Sequence, residues 1–318
     1  MTEPKVMDDG GFIALSAGAE HTCALTETGT AYCWGSDAGG QLGTRASGNS
    51  VVPVNVDSDR GFVSISAGGS HTCAIDSGGE LHCWGNNNFG QLGNGTRVTL
   101  PFPVIHNLAL RFVSVSAGAR HTCALTASGA AYCWGAGGQG QLGAGRFVSE
   151  LAPVQVIGNV RFATLSAGSA QTCGLALDGS AWCWGNNEYG QLGDGTVDNQ
   201  SQPVAVKSAA RFIDISAGED HSCAVGIDNI AYCWGGSSFG ELGNTTTVIG
   251  APVVLTPFPV FGSHPFELIS AGRGSTCGIL TSKLVMCWGR GWEGQLGNGQ
   301  TRNWSTPQFV SGGLGSFE

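Results

Sequence analysis

The chain has 318 residues, of which 53 are glycine and only 12% are charged. This composition excludes a highly charged disordered chain and a helix-rich bundle, and it favours many short strands joined by tight turns. The 23 acidic residues outnumber the 14 basic ones and give a formal net charge of −9, so the positive surface typical of nucleic-acid binding is missing. We expect no nucleic-acid partner. No apolar run approaches the roughly 18 residues that cross a bilayer, so we expect no membrane insertion.

A sequence unit recurs six times along the chain. Its second cysteine stands at Cys33, Cys83, Cys133, Cys183, Cys233 and Cys287. The unit reads F-x-x-x-S-A-G, then H-T-C-A-L, a turn, A-Y-C-W-G, G-Q-L-G and finally P-V-x-V. The predicted repeats cover residues 12–56, 62–106, 112–157, 162–206, 212–260 and 266–310. Because repeats with a period of 20 to 50 residues are typical of propellers and solenoids, we expect them to form one domain, residues 1–318.

Each unit predicts four strands, here called A to D. In the first unit strand A is residues 12–18, strand B is 21–25 and strand C is 31–35, while the proline-led strand D, 53–56, suits an outer edge. The turn between strands B and C carries glycine at Gly29 and at most equivalent positions, which is typical of a three-residue hairpin loop whose last residue has a positive φ. The pattern predicts an all-β fold, a β-propeller of six four-stranded blades.

The bulky and the small residues of the unit predict how the blades pack. Strand A ends in Ser16-Ala17-Gly18 and its equivalents, which suits crowding around a propeller axis. One tryptophan recurs in strand C of every unit, at Trp34, Trp84, Trp134, Trp184, Trp234 and Trp288. A ring of tryptophans could form a ligand cage or a chromophore, but one per blade favours packing between neighbouring blades.

The twelve cysteines form six pairs, each with a spacing of ten residues. If the hairpin loop is residues 27–29, Cys23 lies opposite Cys33 in a non-hydrogen-bonded pair, close enough for a disulfide bond. The predicted bonds are Cys23–Cys33, Cys73–Cys83, Cys123–Cys133, Cys173–Cys183, Cys223–Cys233 and Cys277–Cys287. Free cysteines buried as small apolar side chains are the alternative, and zinc is disfavoured because the short C-x-x-C spacing is absent. Six disulfide bonds would indicate folding in an oxidising compartment.

Two segments of the unit resemble a known family. AGGSHTCAIDSGG (67–79) and CWGNNNFGQLG (83–93) are similar to the repeats of the regulator of chromosome condensation family, and the resemblance covers essentially the whole chain. It implies a propeller, for which seven blades are the family norm and the alternative to six. It also implies several functions: nucleotide exchange on a small GTPase with docking on chromatin, inhibition of β-lactamases by a secreted bacterial relative, or UV-B sensing through clustered tryptophans in a plant relative.

Features of the sequence disfavour two of these functions. The acidic charge and the lack of a long wedge-like insertion disfavour guanine-nucleotide exchange, and the repeated packing position of the tryptophans disfavours light sensing. Cysteine pairs in every blade resemble bacterial extracytoplasmic members. We therefore expect an extracytoplasmic or secreted protein. Residues 1–10 contain no apolar segment of a signal peptide, so a cytoplasmic location stays the alternative.

The loops between strands A and B and between strands C and D fall on one face of an antiparallel blade, and the repeat varies most there. Loop residues that differ between otherwise similar repeats are not required by the fold. Aromatic side chains beside arginine are typical of binding surfaces. The alternative is that an aromatic residue before G-Q-L-G packs its own loop. The predicted partner-binding residues are Phe89, Tyr189, Phe239, Trp292, Arg120, Arg273, Glu20, Glu219 and Asp220.

The start of strand B carries histidine at four of six equivalent positions, which are His21, His71, His121 and His221. Such a ring of imidazoles could hold a metal or act as a base at the mouth of the channel. Gln171 and Ser275 fill the other two positions, which favours a hydrogen bond to the backbone instead.

The sequence thus predicts a protein-binding propeller of the scaffold, inhibitor or adhesin type, without cofactor, metal or catalytic residues. Its partner is another protein of unknown identity. The alternative is an enzyme or a metal-binding propeller with a site at the channel mouth.

Overall fold

The computed structural model describes residues 11–46, 48–105, 109–245 and 253–311, and their regular structure is entirely β-strand. They form six antiparallel sheets of four strands each, one for every predicted repeat. The prediction of an all-β propeller with six four-stranded blades is confirmed. Residue 106, where the second predicted repeat ends, lies outside the described residues.

The strand bounds follow the repeat closely. The first three blades consist of β1 Phe12–Ala17, β2 His21–Thr26, β3 Ala31–Gly35 and β4 Ser50–Asn55; β5 Phe62–Ala67, β6 His71–Asp76, β7 Leu81–Gly85 and β8 Leu100–Ile105; and β9 Ser114–Ala117, β10 His121–Leu125, β11 Ala131–Gly135 and β12 Glu150–Gln155. The last three consist of β13 Phe162–Ala167, β14 Gln171–Ala176, β15 Ala181–Gly185 and β16 Gln200–Ala205; β17 Phe212–Ala217, β18 His221–Gly226, β19 Ala231–Gly235 and β20 Val254–Pro259; and β21 Phe266–Ala271, β22 Ser275–Leu280, β23 Val285–Gly289 and β24 Trp304–Phe309.

Within each blade the strands are hydrogen-bonded in chain order, so strands A and D are the two edges. Strand D begins earlier than predicted, because β4 starts at Ser50, ahead of Pro53. Ser50 pairs with Gly35 after a register shift whose extra residues, 51–53, lie in strand D. At an edge the missing N–H of Pro53 is harmless, so the proline sits inside the strand and does not have to lead it.

The hairpin between strands B and C sets the cysteine register. Gly29 has a φ of 82° and ends a short loop in which its N–H donates to Thr26 O at 3.0 Å. Cys23 then lies directly opposite Cys33, with their Cα atoms 4.1 Å apart. The structure has a disulfide bond at each of the six predicted pairs, so this prediction is confirmed.

The chain forms two compact units. The first comprises Met1–Gly137 and Ser149–Gln155, and the second comprises Gly138–Val148 and Val156–Glu318. The first unit holds the strands of blades one to three, and the second holds those of blades four to six. A single domain over residues 1–318 and the closure of the blades into a ring around an axis stay predictions.

Neighbouring blades within a unit pack through two different faces. The side of blade 1 that carries Leu25, Ala31 and Leu42 contacts the side of blade 2 that carries Phe62 and Trp84. We call the first side the forward face of a blade and the second its back face. The same pairing of faces recurs between blades 2 and 3, 4 and 5, and 5 and 6.

The backbone carbonyl of the glutamine in G-Q-L-G joins one blade to the next. The carbonyl oxygen of Gln41 accepts hydrogen bonds from Trp84 Nε1 and Thr72 Oγ1, both at 2.9 Å. A Cβ on Gly43 would lie 2.6 Å from the same Trp84 nitrogen, so only glycine leaves room for the ring. Equivalent pairs of bonds reach the carbonyls of Gln91, Gln141, Gln191 and Glu241. Five of the six tryptophans therefore pack between blades as predicted and are fully buried, whereas Trp34 is half-buried.

Candidate functional site: the loop face

The A–B and C–D loops of one blade are hydrogen-bonded to each other and form a common surface, here called the loop face. The N–H of Ser36, at the start of a C–D loop, donates to the carbonyl of Glu20 in the A–B loop at 2.8 Å, and Asn86 does the same to Ser70. All nine predicted partner-binding residues lie in these loops, outside the strands. The scaffold therefore presents them on a fixed backbone.

In the first compact unit, which holds blades 1 to 3, the loop face carries a cation–π pair. The Arg120 guanidinium carbon lies 4.9 Å from the centroid of the Phe89 ring, within the range of a favourable interaction. Phe89 belongs to the C–D loop of blade 2 and is half-buried, whereas Arg120 belongs to the A–B loop of blade 3 and is exposed. Glu20 is exposed in the A–B loop of blade 1. The pair thus bridges two blades and still presents its cation to solvent.

In the second compact unit, which holds blades 4 to 6, the loop face carries two aromatic rings in contact. Phe239 and Trp292 meet edge to face with their centroids 5.6 Å apart, a favoured aromatic geometry. Phe239 is half-buried and packs on the A–B loop of blade 6, where a Cβ on Gly274 would lie 2.7 Å from its ring. Trp292 remains 57% exposed. Phe239 therefore packs its loop, as the alternative interpretation held, while Trp292 is available to a partner.

Arg290 was missed by the sequence analysis and lies at the centre of this aromatic group. Its guanidinium carbon lies 5.9 Å from the Phe239 centroid and 5.8 Å from that of Trp292, and the group also pairs with Glu293. The sequence did contain a signal for this residue. The residue after C-W-G is asparagine, serine, alanine or glycine in the other five repeats, and only in the sixth repeat is it charged, at Arg290.

Acidic residues lie near Arg273 on the loop face of the second unit. Arg273 Nε lies 3.3 Å from Glu219 Oε2, so this pair neutralises itself. Burial raises the pKa of Asp220, and the charges of Glu219 and Glu188 raise it further. Burial also raises the pKa of Glu241, which replaces the glutamine of G-Q-L-G in this blade. Burial therefore favours the uncharged forms of Asp220 and Glu241 relative to solvated carboxyl groups.

Tyr189 lies near the same carboxylates and is 43% exposed. A Cβ on Gly236 would lie 3.4 Å from Asp220 Cβ and 3.5 Å from Tyr189 Cβ, so the absent side chain leaves these two residues as neighbours. The structure thus brings the predicted residues together as an aromatic pair, an ion pair, a tyrosine beside an aspartate and, in the first unit, the pair of Phe89 and Arg120.

The strand B histidines join neighbouring blades. His21 Nε2 lies 2.8 Å from Thr72 Oγ1, and this hydroxyl already donates to a backbone carbonyl, so the imidazole must donate to it. His71 and His221 make the equivalent bonds to Thr122 and Thr276. The expected backbone bond is therefore wrong for these three histidines, whose direct partner is a hydroxyl. The expected backbone bond is right for Gln171 at this position, whose Nε2 donates to the carbonyl oxygen of Gly218 at 3.0 Å.

The next blade and the histidine ring together explain the glycine of A-G-x-x-H. A Cβ on Gly18 would lie 2.3 Å from the carbonyl oxygen of Gly68 and 2.9 Å from His21 Nδ1, so no side chain fits there. The buried Nδ1 atoms of His21, His71 and His221 have no hydrogen-bond partner among the described residues. Burial lowers the pKa of His21 to about 4 and that of His71 to about 3, so both rings are neutral near pH 7.

A second titratable cluster lies on the B–C hairpin of blade 2. His82 Nε2 lies 3.2 Å from Asp76 Oδ2, and Glu80 completes the one group of potential metal ligands that the described residues bring within 4.8 Å of one another. Arg60 approaches both carboxylates and Arg111 lies 3.2 Å from Glu80. Burial would raise the pKa of Asp76, but hydrogen bonds from the Glu80 N–H and the His82 ring lower it overall. Two guanidinium groups neutralise the two acids, so the cluster is an ion-pair network in its present form.

None of the described residues forms a helix long and apolar enough to cross a membrane.

The fold is shared with solved structures of low sequence identity. Prp20p from Saccharomyces cerevisiae, studied for its binding to Gsp1p and histones, is 24% identical, with a TM-score of 0.83 over 95% of this chain and 77% of that one. Human WBSCR16 is 19% identical, with a TM-score of 0.86 over 96% of this chain and 82% of that one. The CRINKLY WD40 ectodomain of the receptor kinase ACR4 from Arabidopsis thaliana is 23% identical, with a TM-score of 0.56 over 87% and 79%. At these identities the likeness shows the fold alone.

Among curated proteins no sequence matches the chain. The sequence profile of the RCC1-like domain matches residues 1–316, which is nearly the whole chain. The resemblance seen in the repeat motifs is therefore confirmed, and this chain belongs to the RCC1-like domain family.

Proposed function

We propose that this chain is a protein-binding propeller module that recognises its partner through the loop face and that it is not an enzyme. The observation that carries the proposal is the exposed ring of Trp292, held in place by Phe239 and Arg290 on a hydrogen-bonded loop. Tryptophan, tyrosine and arginine dominate binding energy at protein interfaces, and rings that are already ordered lose little entropy on binding.

The division of the repeat into residues that build the scaffold and residues that form the loop face supports the same function. The recurrent tryptophan, threonine, histidine and glutamine side chains are used to join blades, and the disulfide bonds staple strands B and C. The loop face is where the copies differ and where arginines and aromatic rings reach solvent. Protein partners are also known for a structural neighbour, since Prp20p was studied for its binding to Gsp1p and histones. That function belongs to Prp20p, and the low identity transfers only the fold.

We further propose that the protein works in an extracytoplasmic or secreted setting. Six disulfide bonds fit an extracellular environment, because the reduced cytosol does not maintain them. One structural neighbour is itself an ectodomain. Non-reducing mass spectrometry of the protein from its native source tests this part, and twelve free thiols there would contradict it.

Affinity capture from the native extracytoplasmic fraction tests the binding proposal. Tyr189→Ala and Trp292→Ala remove exposed rings from the loop face. Leu177→Ala is the matched control, because Leu177 is 72% exposed on a B–C turn at the opposite end of its blade. We expect the captured protein to be lost with the first two variants and retained with the control. Loss with Leu177→Ala alone would place binding on the opposite face and overturn the proposal.

A further inference from the structure

Blade 2 departs from the repeat at three positions around its B–C hairpin, and all three carry side chains that can bind a metal ion. Asp76 stands where the other repeats have threonine, alanine, glycine or leucine. Glu80 stands where they have threonine, alanine, serine, isoleucine or leucine, and His82 replaces tyrosine, tryptophan or methionine. No other repeat has a carboxylate or an imidazole at any of these positions. The common scaffold therefore does not require this group of side chains.

The register of the hairpin places the three side chains on one face of the blade. His82 lies opposite Ala74, and the Asp76 N–H donates to Glu80 O at 3.1 Å, so Asp76 and His82 are diagonal neighbours in the sheet. Asp76 is 5% exposed and His82 is 2% exposed, whereas Glu80 is half-buried. One ligand atom from each residue lies within 4.8 Å of the other two. The fold therefore gathers two carboxylates and one imidazole into a compact, largely buried group.

Neighbouring groups hold the Asp76 carboxylate and the His82 ring in fixed orientations. Asp76 Oδ1 accepts hydrogen bonds from the N–H groups of Gly78 and Glu80, both at 2.9 Å, and this leaves Oδ2 to face His82. The Phe62 ring packs edge to face against the His82 ring, with their centroids 5.3 Å apart. Metal ligands in proteins are oriented by such secondary contacts, which add to the affinity for the ion.

The spacing of the two buried side chains fits a transition-metal ion. His82 Nε2 and Asp76 Oδ2 are 3.2 Å apart. Two ligand atoms that each lie about 2.0–2.1 Å from a tetrahedral zinc ion are roughly 3.3 Å apart, so this pair can accept the ion with little movement. Arg111 pairs with Glu80 Oε1 at 3.2 Å, which leaves Glu80 Oε2 as the third ligand atom. Imidazole combined with carboxylate suits zinc, whereas magnesium and calcium prefer oxygen ligands alone.

The guanidinium of Arg60 lies beside the three ligands but is not hydrogen-bonded to them. Its Nη1 atom lies 3.6 Å from Asp76 Oδ2 and 3.9 Å from Glu80 Oε2, distances that are too long for hydrogen bonds. The Arg60 side chain is 47% exposed, and together with His82 it lines a cavity of about 600 Å³ between blades 1 and 2. Arg60 can therefore turn into solvent, and the cavity then gives an ion access to the ligands.

We propose that Asp76, Glu80 and His82 form a binding site for a divalent transition-metal ion of the zinc class, which displaces the guanidinium of Arg60. The imidazole binds through Nε2, so the proton between this atom and Asp76 moves to Nδ1 or to solvent when the ion enters. Three protein ligands leave the fourth position of a tetrahedral ion to water from the cavity. The site lies on a B–C hairpin, at the opposite end of the blade from the loop face, and it is independent of the function proposed for that face.

Calorimetric titration of the untagged, disulfide-bonded full chain with zinc, after treatment with a chelator, tests the site. We expect one zinc ion to bind per chain. His82→Tyr should weaken binding by more than about tenfold, because it removes the imidazole ligand. This variant is expected to fold, since tyrosine stands at the equivalent position in three other blades, at Tyr32, Tyr132 and Tyr232. His264→Gln is the matched control for zinc held by a histidine outside the cluster, and it should bind zinc as the wild type does.

A second ligand variant keeps the test decisive if His82→Tyr does not fold. Asp76→Thr introduces the residue found at the equivalent positions Thr26 and Thr126, and it should also weaken zinc binding by more than about tenfold. Arg60→Ala should tighten binding by about tenfold, because it removes a positive charge that competes with the ion.

Thermal unfolding gives an independent measurement of the same site. Zinc at about one hundred times its dissociation constant should raise the Tm of the wild type by about 3 °C or more, because the ion binds the folded chain, and it should leave the Tm of Asp76→Thr unchanged. Three results would each overturn the proposal: no saturable zinc binding, equal affinity in the wild type and the ligand variants, or an unchanged affinity in Arg60→Ala.

Discussion

Acidification is expected to destabilise the fold through the buried histidines that join neighbouring blades. Burial lowers the pKa of His21 and His221 to about 4, and burial together with the charges of His21 and His121 lowers that of His71 to about 3. A histidine in an unfolded chain has a pKa near 6.5. Between these values the unfolded chain binds more protons than the folded chain, so the free energy of unfolding falls as the pH falls from about 6.5 towards 4.

The size of the effect follows from the shift. Each such histidine contributes a slope approaching about 1.4 kcal/mol per pH unit once the pH is well below 6.5, and about 3 kcal/mol over the whole window. The cause is specific: protonation places a charge and a second N–H donor on a ring whose Nδ1 atom is buried without a partner in His21, His71 and His221. The stability is fully present above about pH 7.

Urea unfolding at about pH 7, 6 and 5, followed by tryptophan fluorescence, measures this slope. His71→Gln should reduce the average slope between pH 7 and 5 by about 1 kcal/mol per pH unit, because glutamine does not titrate and already occupies the equivalent position at Gln171. Gln171→His is the reciprocal control and should steepen the slope by a similar amount, since Ser222 stands where the acceptor hydroxyl is needed. Equal slopes for the wild type and both variants would refute the reasoning.

Three further measurements test the scaffold and the loop face. The intact mass should be about 12 Da lower without reductant than with it, one hydrogen for each cysteine, and twelve alkylatable thiols in the folded protein would contradict the six bonds. Gly43→Ala should lower the Tm much more than Gly95→Ala. Both glycines have positive φ, but a Cβ on Gly43 would meet the Trp84 ring, whereas a Cβ on Gly95 would face open space. Equal decreases in Tm would mean that backbone strain alone determines the loss of stability. Trp292→Ala and Tyr189→Ala should each weaken partner binding by about 2 kcal/mol, roughly thirtyfold, with an unchanged Tm, and normal binding or unfolding would assign these rings to packing.

The fold could be predicted from the sequence because the information lies within each repeat. A ten-residue cysteine spacing and a three-residue loop ending at Gly29 leave one register for the hairpin, and that register places Cys23 opposite Cys33. The edge position of strand D followed from Pro53, although the strand begins earlier, at Ser50. Local chemistry was sufficient for these elements, since turn geometry fixes strand register over short distances.

The tryptophan packing between blades could be predicted from its recurrence, but the individual hydrogen-bond partners could not, because they are about one repeat apart. Nothing in the sequence near His21 indicates that its partner is Thr72 or that this hydroxyl is already used by a carbonyl. The role of Arg290 was missed for the same reason, since its two ring contacts come from different blades. Assignment of Phe239 to loop packing likewise required the position of Gly274 in the next blade. Sequence variation identified the surface, and only tertiary structure separated packing rings from exposed ones.

The chemistry of the conserved and the variable positions of the repeat favours recognition over catalysis. A general base works best with a pKa near the ambient pH and with access to its substrate. His71 has neither property, because burial lowers its pKa to about 3 and its Nε2 donates to the next blade. The exposed side chains of the loop face include Trp292, Tyr189 and Arg120, which offer aromatic surface and a guanidinium group. The repeated histidines are used in the scaffold, and the exposed rings and arginines of the loop face are of the types that dominate binding energy at protein interfaces, which supports the proposed role.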